Sequence, residues 1–289
     1  MITVNAALTG ALIGGLYALM AAGLSVTWGV LKIINLAHFG LILVAAYLTF
    51  QIATSWRVDP ILTLVITVPA MALLAAALQW AFDRLGVAEF NSLLLSFGLL
   101  IIAGQVVSNI WSADFQRMTT AVNRYATRSV TLGQLAFPVT TLLAFVAALV
   151  LIGGGHLALQ RTFAGRAMRA FAQDRAVAAA FGIDHRRIGM LLAAASGATA
   201  AIAGMLFALA NALTPATAYE WFGIVFAVVI LGGVGHLLGT LLAGVLVGVL
   251  SGVVAVVLSP AAAPFVLFSA IVLALLLRPQ GLFGGGAVR

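Results

Sequence analysis

The chain is built from apolar runs of about twenty residues separated by short polar joints, and this alone removes most folds from consideration. At about 1.5 Å of rise per residue, such a run crosses the hydrocarbon core of a bilayer as a helix. A membrane β-barrel would alternate apolar and polar residues over about ten positions, whereas these runs are continuous. The expected fold class is therefore all-α, a polytopic helical membrane protein forming a single transmembrane domain over residues 1–289.

The first crossing is expected from Ala6 to Val30, and the second extends to about Thr54. Between them, Lys32, Asn35 and His38 interrupt an apolar context; such a piece either turns near the interface or lines a cavity. Ile61–Phe82, Asn91–Trp111 and Pro138–Leu159 supply the next three crossings, with a long polar loop over 112–137. A sixth runs from Ile188, with Asp184 as its cap, to Asn211. Residues 221–258 form one apolar tract of 38 residues, too long for one helix and interrupted by GGVGHLLG. It is expected to be a broken pair of segments, with Gly232, Gly233, Gly235 and Gly239 at the break and freed backbone groups available to a polar solute. Pro264–Leu277 completes a total of eight or nine. With nine alternating crossings and the N-terminus outside, ten of the fourteen basic residues fall inside, among them Lys32, Arg84, Arg278 and Arg289. MITVNAALTG has no basic segment of the secretory type, so the first run is expected to stay in the mature chain.

One stretch breaks the apolar pattern: residues 160–187, QRTFAGRAMRAFAQDRAVAAAFGIDHRR, hold six of the thirteen arginines. Its interior predicts a short helix from Arg175 to Phe181. Asp174 supplies the N-terminal cap and Gly182 the left-handed residue that ends it. Val177 and Phe181 stand four apart and share a face, with Ala178 beside them. Two turns are marginal alone in water, so that face wants a groove, on this chain's own membrane domain or on another protein.

Several chemistries are excluded. There is no cysteine, hence no disulfide, thiolate metal site or thiol nucleophile. Nothing matches the phosphate-binding G-x-x-x-x-G-K-[ST], and the only lysine, Lys32, precedes isoleucine. Energy from ATP must come from another chain. No carboxylate lies in the middle of an expected crossing, where ion-driven carriers usually keep one, which disfavours a self-sufficient secondary carrier or channel. The basic residues sit at the ends of apolar runs, where they set orientation instead of binding nucleic acid. AASG at 194–197 and GHLLG at 235–239 resemble the serine and histidine motifs of rhomboid intramembrane proteases, with Ser196 as nucleophile and His236 as its base; nothing else in the chain supports that alternative. No metal ligand set, catalytic residue or cofactor site is expected.

Four stretches in order resemble one family, the membrane permease subunits of branched-chain amino-acid ABC importers, a class that also handles urea and short amides. GLYALMAAGLSVTWGVLKIINLAH, 15–38, is similar to its first helix and N-x-A-H element, with Tyr47 in the expected A-Y position. RTFAGRAMRAFAQDRAVAAAFGID, 161–184, resembles its cytoplasmic loop that docks on the ATPase. VVILGGVGHLLGTLLAGVLVG, 228–248, resembles its glycine-rich helix pair, and LLLRPQGLFG, 275–284, its C-terminal signature. Phe39 and Ala45 stand where glycines are usual, His236 replaces a common serine, Ala243 the first of a glycine pair and Ser251 a frequent glutamate.

The resemblance implies a multi-pass permease of the bacterial inner membrane. Its partners would be a second permease subunit, two cytoplasmic ABC ATPases and an extracytoplasmic solute-binding protein, docked on loop 112–137. The coupling residues it implies are Gly165, Arg166, Arg169, Asp174, Val177, Ala178, Phe181 and Gly182. Among polar residues in the crossings, Tyr17, Asn35, His38, Ser96, Gln105 and Asn109 are the candidates for the translocation path. Each can equally be a satisfied interhelical hydrogen bond.

Overall fold

A computed structural model of the chain describes residues 2–87, 89–132, 135–278 and 281–283; Arg289, and Pro279, Gln280 and Gly284 of the C-terminal signature, lie outside them. In chain order the elements are α1 (Ile2–Leu31), α2 (Ala37–Trp56), a 3₁₀ turn (Pro60–Thr63), α3 (Leu64–Arg84) and α4 (Glu89–Trp111). The antiparallel pair β1 (Ser129–Leu132) and β2 (Leu135–Pro138) follows, then α5 (Val139–Arg161), α6 (Phe163–Gln173) and α7 (Arg175–Ala180). The chain closes with α8 (His185–Ala210), α9 (Thr217–Gly232), α10 (Leu237–Val257) and α11 (Ala262–Leu277).

Among the described residues, α1, α2, α3, α4, α5, α8 and α10 are long and apolar enough to cross a membrane, and α9 and α11 are apolar helices of 16 residues each. Seven long helices and two short ones match the expected eight or nine segments of a polytopic helical membrane protein. The tract 221–258 is divided between α9 and α10, as its glycines predict.

The packing is organised about α1, which contacts α5, α8, α9 and, along most of its length, α10. Membrane helices gain nothing from expelling lipid-like chains, so they associate where small residues let backbones meet. Here Gly10 and Gly14 of α1 face Gly244, Gly248 and Gly252 of α10: a Cβ added at Gly248 would lie 2.7 Å from the Gly14 Cα. The same device seats α8 on α2, where a Cβ at Gly204 would meet the Ala45 Cβ at 2.9 Å. Most residues of α1, α2 and α8 are buried inside the chain, whereas α3, α4 and α5 keep most of theirs on its surface.

Helix α1 is followed directly by Lys32, which adopts a left-handed conformation with φ of 58°. The chain then runs non-helically through residues 33–36 before α2 starts. At the opposite end, loop 112–137 is folded onto the helix termini. Asn123 Nδ2 donates to the Leu209 carbonyl at 2.9 Å, Tyr125 Oη to Asp59 at 2.8 Å, and Gln116 pairs with Leu213 as an isolated bridge. The β pair within it has no counterpart in the expectations above.

Candidate functional site

The polar stretch 160–187 forms two helices, not one. Thr162 caps α6 by accepting from the Gly165 N–H at 3.0 Å. Gly165 itself is buried: a Cβ there would meet the Leu159 Cα of α5 at 2.5 Å, so this glycine serves close packing. The next helix is closed at both ends as expected. Asp174 Oδ1 accepts from the Ala176 and Val177 N–H groups at 2.8 and 3.0 Å. At the other end Gly182 has φ of +80°, its N–H donates to Ala179 O, and the Ile183 N–H donates to Ala178 O. That is the paired bonding of a Schellman stop.

Two placements correct the expectation. Phe181 is the residue after the last helical turn, and Ala178 is only 3% exposed, packed with Val30, Leu31, Phe171, Ile188 and Leu192. Ala178 therefore anchors α7 to this chain's own α1 and α8 and is not offered to a partner. The outward residues are Val177 at 52%, Phe181 at 83% and, on the neighbouring helix, Phe163 at 77% exposed. Phe163 was missed by sequence reasoning, although Thr162 at a cap position and the apolar spacing of Ala167, Met168 and Phe171 mark its helix. Arg166 stands over the Phe163 ring at 6.0 Å, and Arg169 donates to the Gln160 carbonyl at 3.3 Å. Arg175 donates to the Leu31 carbonyl, tying this pair of helices to the end of α1.

The six candidate path residues separate into three groups. Asn35, His38 and Ser96 lie at the joint between α1 and α2, where Asn35 and Ser96 serve backbone N–H groups of the break and His38 reaches across to α1 and α8. Asn35 Oδ1 accepts from the Ala37 N–H at 3.1 Å, and Ser96 Oγ accepts from the Leu36 N–H at 2.9 Å. His38 is 1% exposed, with Nε2 2.9 Å from the Met20 carbonyl and Nδ1 3.0 Å from Ser196 Oγ. With the proton on Nε2, the ring donates to Met20 and accepts from the Ser196 hydroxyl. Gly23 makes this possible: a Cβ there would meet His38 Cε1 and Thr199 Oγ1, both at 2.6 Å. Tyr17 joins a separate aromatic group, its ring centroid 5.1 Å from that of Trp221. Gln105 and Asn109 are exposed on α4 and bond each other at 3.1 Å, apart from the His38 group.

Ser196 lies between two hollows. One, of about 10 Å³, is lined by Thr27, Asn35 and Gln79 among others and has room for about one water. The other, of about 220 Å³, is almost wholly apolar and lies among α1, α5 and α8, with Met168 of α6 in its wall. The serine–histidine pairing proposed for proteolysis is overturned, since Ser196 bonds His38. His236 instead caps α10, its Nδ1 accepting from the Gly239 N–H at 2.9 Å.

The break between α9 and α10 has the expected glycines, with Gly233 and Gly235 both at φ of +84°. A Cβ at Gly232 would meet Thr240 Cα at 2.6 Å, and one at Gly239 would meet His236 Nδ1 at 2.7 Å. Several of its donors are engaged: the Gly235 N–H donates to Ser25 Oγ at 3.2 Å, and those of Gly233, His236 and Thr240 donate within the turn. The break is thus a packing joint against α1, with no free N–H at these positions to hold a solute.

Residues 6–277 match the family model described as branched-chain amino acid transport system / permease component. The high-affinity branched-chain amino acid transport system permease protein LivH of Salmonella typhimurium is 26% identical to this chain, covering 95% of it and 93% of the relative. LivH of Escherichia coli K12 matches to the same extent. The permease protein BraD of Pseudomonas aeruginosa is 24% identical over 95% of this chain and 94% of its own. No solved structure matches.

Proposed function

The chain belongs to the family of branched-chain amino acid transport permease components, and on that premise we propose that it is the translocation subunit of an ATP-driven importer. Its solutes are branched-chain amino acids or related small polar molecules such as urea and short amides. It works as a multi-pass protein of the bacterial inner membrane. Around it are a second permease subunit, two cytoplasmic ATPases and an extracytoplasmic binding protein that docks on loop 112–137. Stretch 160–187 is the cytoplasmic coupling loop within one transmembrane domain.

The observation that carries the coupling role is the division of α7 into two faces. Ala178 is sunk into the base of α1 and α8, while Val177 and Phe181, with Phe163 nearby, project outward. Exposed aromatic anchors of this kind are what a partner's groove takes. Gly165, Arg169, Asp174 and Gly182 shape the two helices, and Arg166 flanks the contact. ATP-driven closure of the ATPases pushes on this rod, and the Arg175 contact to Leu31 passes the displacement to α1. Met168 carries it to the 220 Å³ hollow. His38, Ser196, Asn35 and Ser96 hold the midpoint of the path, with Tyr17 on its aromatic side.

The test is Phe181→Asp in a strain carrying all the subunits. Uptake and ATPase co-purification are expected to vanish while membrane insertion stays intact; unchanged uptake overturns the coupling role. The rival class, a secondary carrier, requires that the chain alone, in liposomes, accumulate solute uphill.

A further inference from the structure

At the end of the molecule where α3 stops and α8 begins, a hollow of about 260 Å³ is lined by Trp80, Asp83, Arg84, Arg186 and Met190. We propose that it binds the phosphate of an anionic glycerophospholipid. The site needs only the membrane embedding of the chain; its assignment to the cytoplasmic leaflet rests on the orientation implied by the proposed function.

The charge balance favours an anion. Among the described residues no carboxylate lies within 4.0 Å of the Arg84 or Arg186 guanidinium, although other arginines of the chain do form such pairs. The one acid in the lining, Asp83, has Oδ1 engaged by Gln79 Nε2 at 2.9 Å. Asp184, the cap preceding α8, is taken up as well: Oδ1 accepts from the Arg186 N–H at 2.9 Å and Oδ2 lies 3.4 Å from Arg187 Nε. Two forked donors thus face a shared space with at most one partly occupied carboxylate between them, and the first turn of α8 adds positive dipole potential. Arg84 is also held in place, its guanidinium 5.3 Å above the Trp80 ring.

The surroundings distinguish a lipid from a soluble anion. Leu73, Ala77, Trp80 and Arg84 recur at helical spacing on the exposed side of α3, making an apolar track that ends in the basic hollow. Leu85 at 73% and Leu191 at 57% exposed each follow a lining residue, Arg84 and Met190, in the chain. Acyl chains lie along the track with the phosphate at its head. Basic pockets between spans are a recurrent way of holding anionic headgroups.

The experiment is native mass spectrometry of the full chain in detergent, with phosphatidylglycerol or phosphatidylethanolamine of the same acyl chains added. The wild type is expected to retain phosphatidylglycerol in preference. In R84Q/R186Q its apparent affinity should fall by roughly fivefold per arginine. R84K/R186K, which keeps the charge and guards against a folding artefact, should retain most of the binding. R57Q/R128Q, at the opposite end, should retain all of it. Equal loss in both Gln pairs, or no preference between the lipids, overturns the proposal. So does complete displacement by millimolar inorganic phosphate, which assigns the hollow to a soluble anion. None of these readouts uses transport, so failure here leaves the importer reading untouched, and failure of uptake leaves this one untouched.

Discussion

Gly248→Ala adds one methyl group to α10, and its cost follows from where that methyl must go. The new carbon would stand 2.7 Å from the Gly14 Cα of α1 and nearer still to the Gly10 carbonyl oxygen. Ordinary carbon–carbon contact is about 3.5–4.0 Å, so the helices must part by about 1 Å. Both obstacles are backbone atoms, which no rotamer change can move aside. A gap of that size forfeits between about a quarter and a half of each dispersion contact along the seam, and overpacking of this kind costs about 1–3 kcal/mol. Gly153→Ala on α5 is the matched control, because beyond its own turn of helix no atom lies within 4 Å of its added carbon. There the methyl should stabilise by about 0.5–1 kcal/mol, through the lost backbone freedom of glycine in a helix. Two chemically identical substitutions are thus expected to differ by about 1.5–4 kcal/mol. Denaturant titration of the purified protein in mixed micelles measures the difference. Equal stability of the two variants refutes the claim that backbone contact along this seam holds α1 to α10.

Ser196→Ala should destabilise by about 1–3 kcal/mol in the same titration, since His38 Nδ1 is left buried without a donor; unchanged stability would refute that role for the bond. Asp174→Ala, which removes two capping bonds, should cost about 0.5–2 kcal/mol locally. Hydrogen exchange should then quicken over 175–183 and stay unchanged in the spans; spread through the spans, it would refute the independence of the cap. The last prediction concerns acid. Burial, and then the charge of His156, disfavour the protonated form of His236, holding its pKa below the ordinary histidine value. Protonation also removes the acceptor for the Gly239 N–H. The cap's contribution is therefore present above the ordinary histidine range and lost as pH falls through the lowered folded value. His236→Ser, a cap that does not titrate, should flatten the loss of thermal stability between pH 7.5 and 5; an unaltered profile assigns that loss elsewhere.

Features set by a few neighbouring residues were legible in the sequence. Asp174, Gly182 and Asp184 end or start helices where their types predict, because caps act within one turn. The tract 221–258 had to break where glycines cluster, and it does. Features set by distant residues were not legible. The acceptor for the Ser196 hydroxyl lies 158 residues away, and the nearby motif GHLLG pointed to the wrong histidine. Ala178 and Val177 are adjacent in a helix too short to reveal which face turns inward, and only the base of α1 and α8 decides it. Gln105 and Asn109 sit on a span apolar all round, so no periodicity indicates that they face out. The segment Phe163–Gln173 was hidden by its polarity, since Arg166, Arg169 and Gln173 interrupt its eleven residues and make it read as loop. The four-residue strands of loop 112–137 are too short to alternate convincingly.

The burial of α1 and α2 has a consequence for how the protein is made. These spans leave the ribosome before α8, and His38 belongs to them, yet the hydroxyl that satisfies its ring is encoded 158 residues later. At roughly 5–20 residues per second that is a wait on the order of ten to thirty seconds. During it, the glycine face of α1 also lacks α10. The nascent protein must therefore pass through a stage in which its innermost helices are its least finished, and an insertase that shelters a polar histidine until the sixth span arrives has an evident task. Stalled or truncated products ending before α8 are the ones membrane proteases should clear fastest.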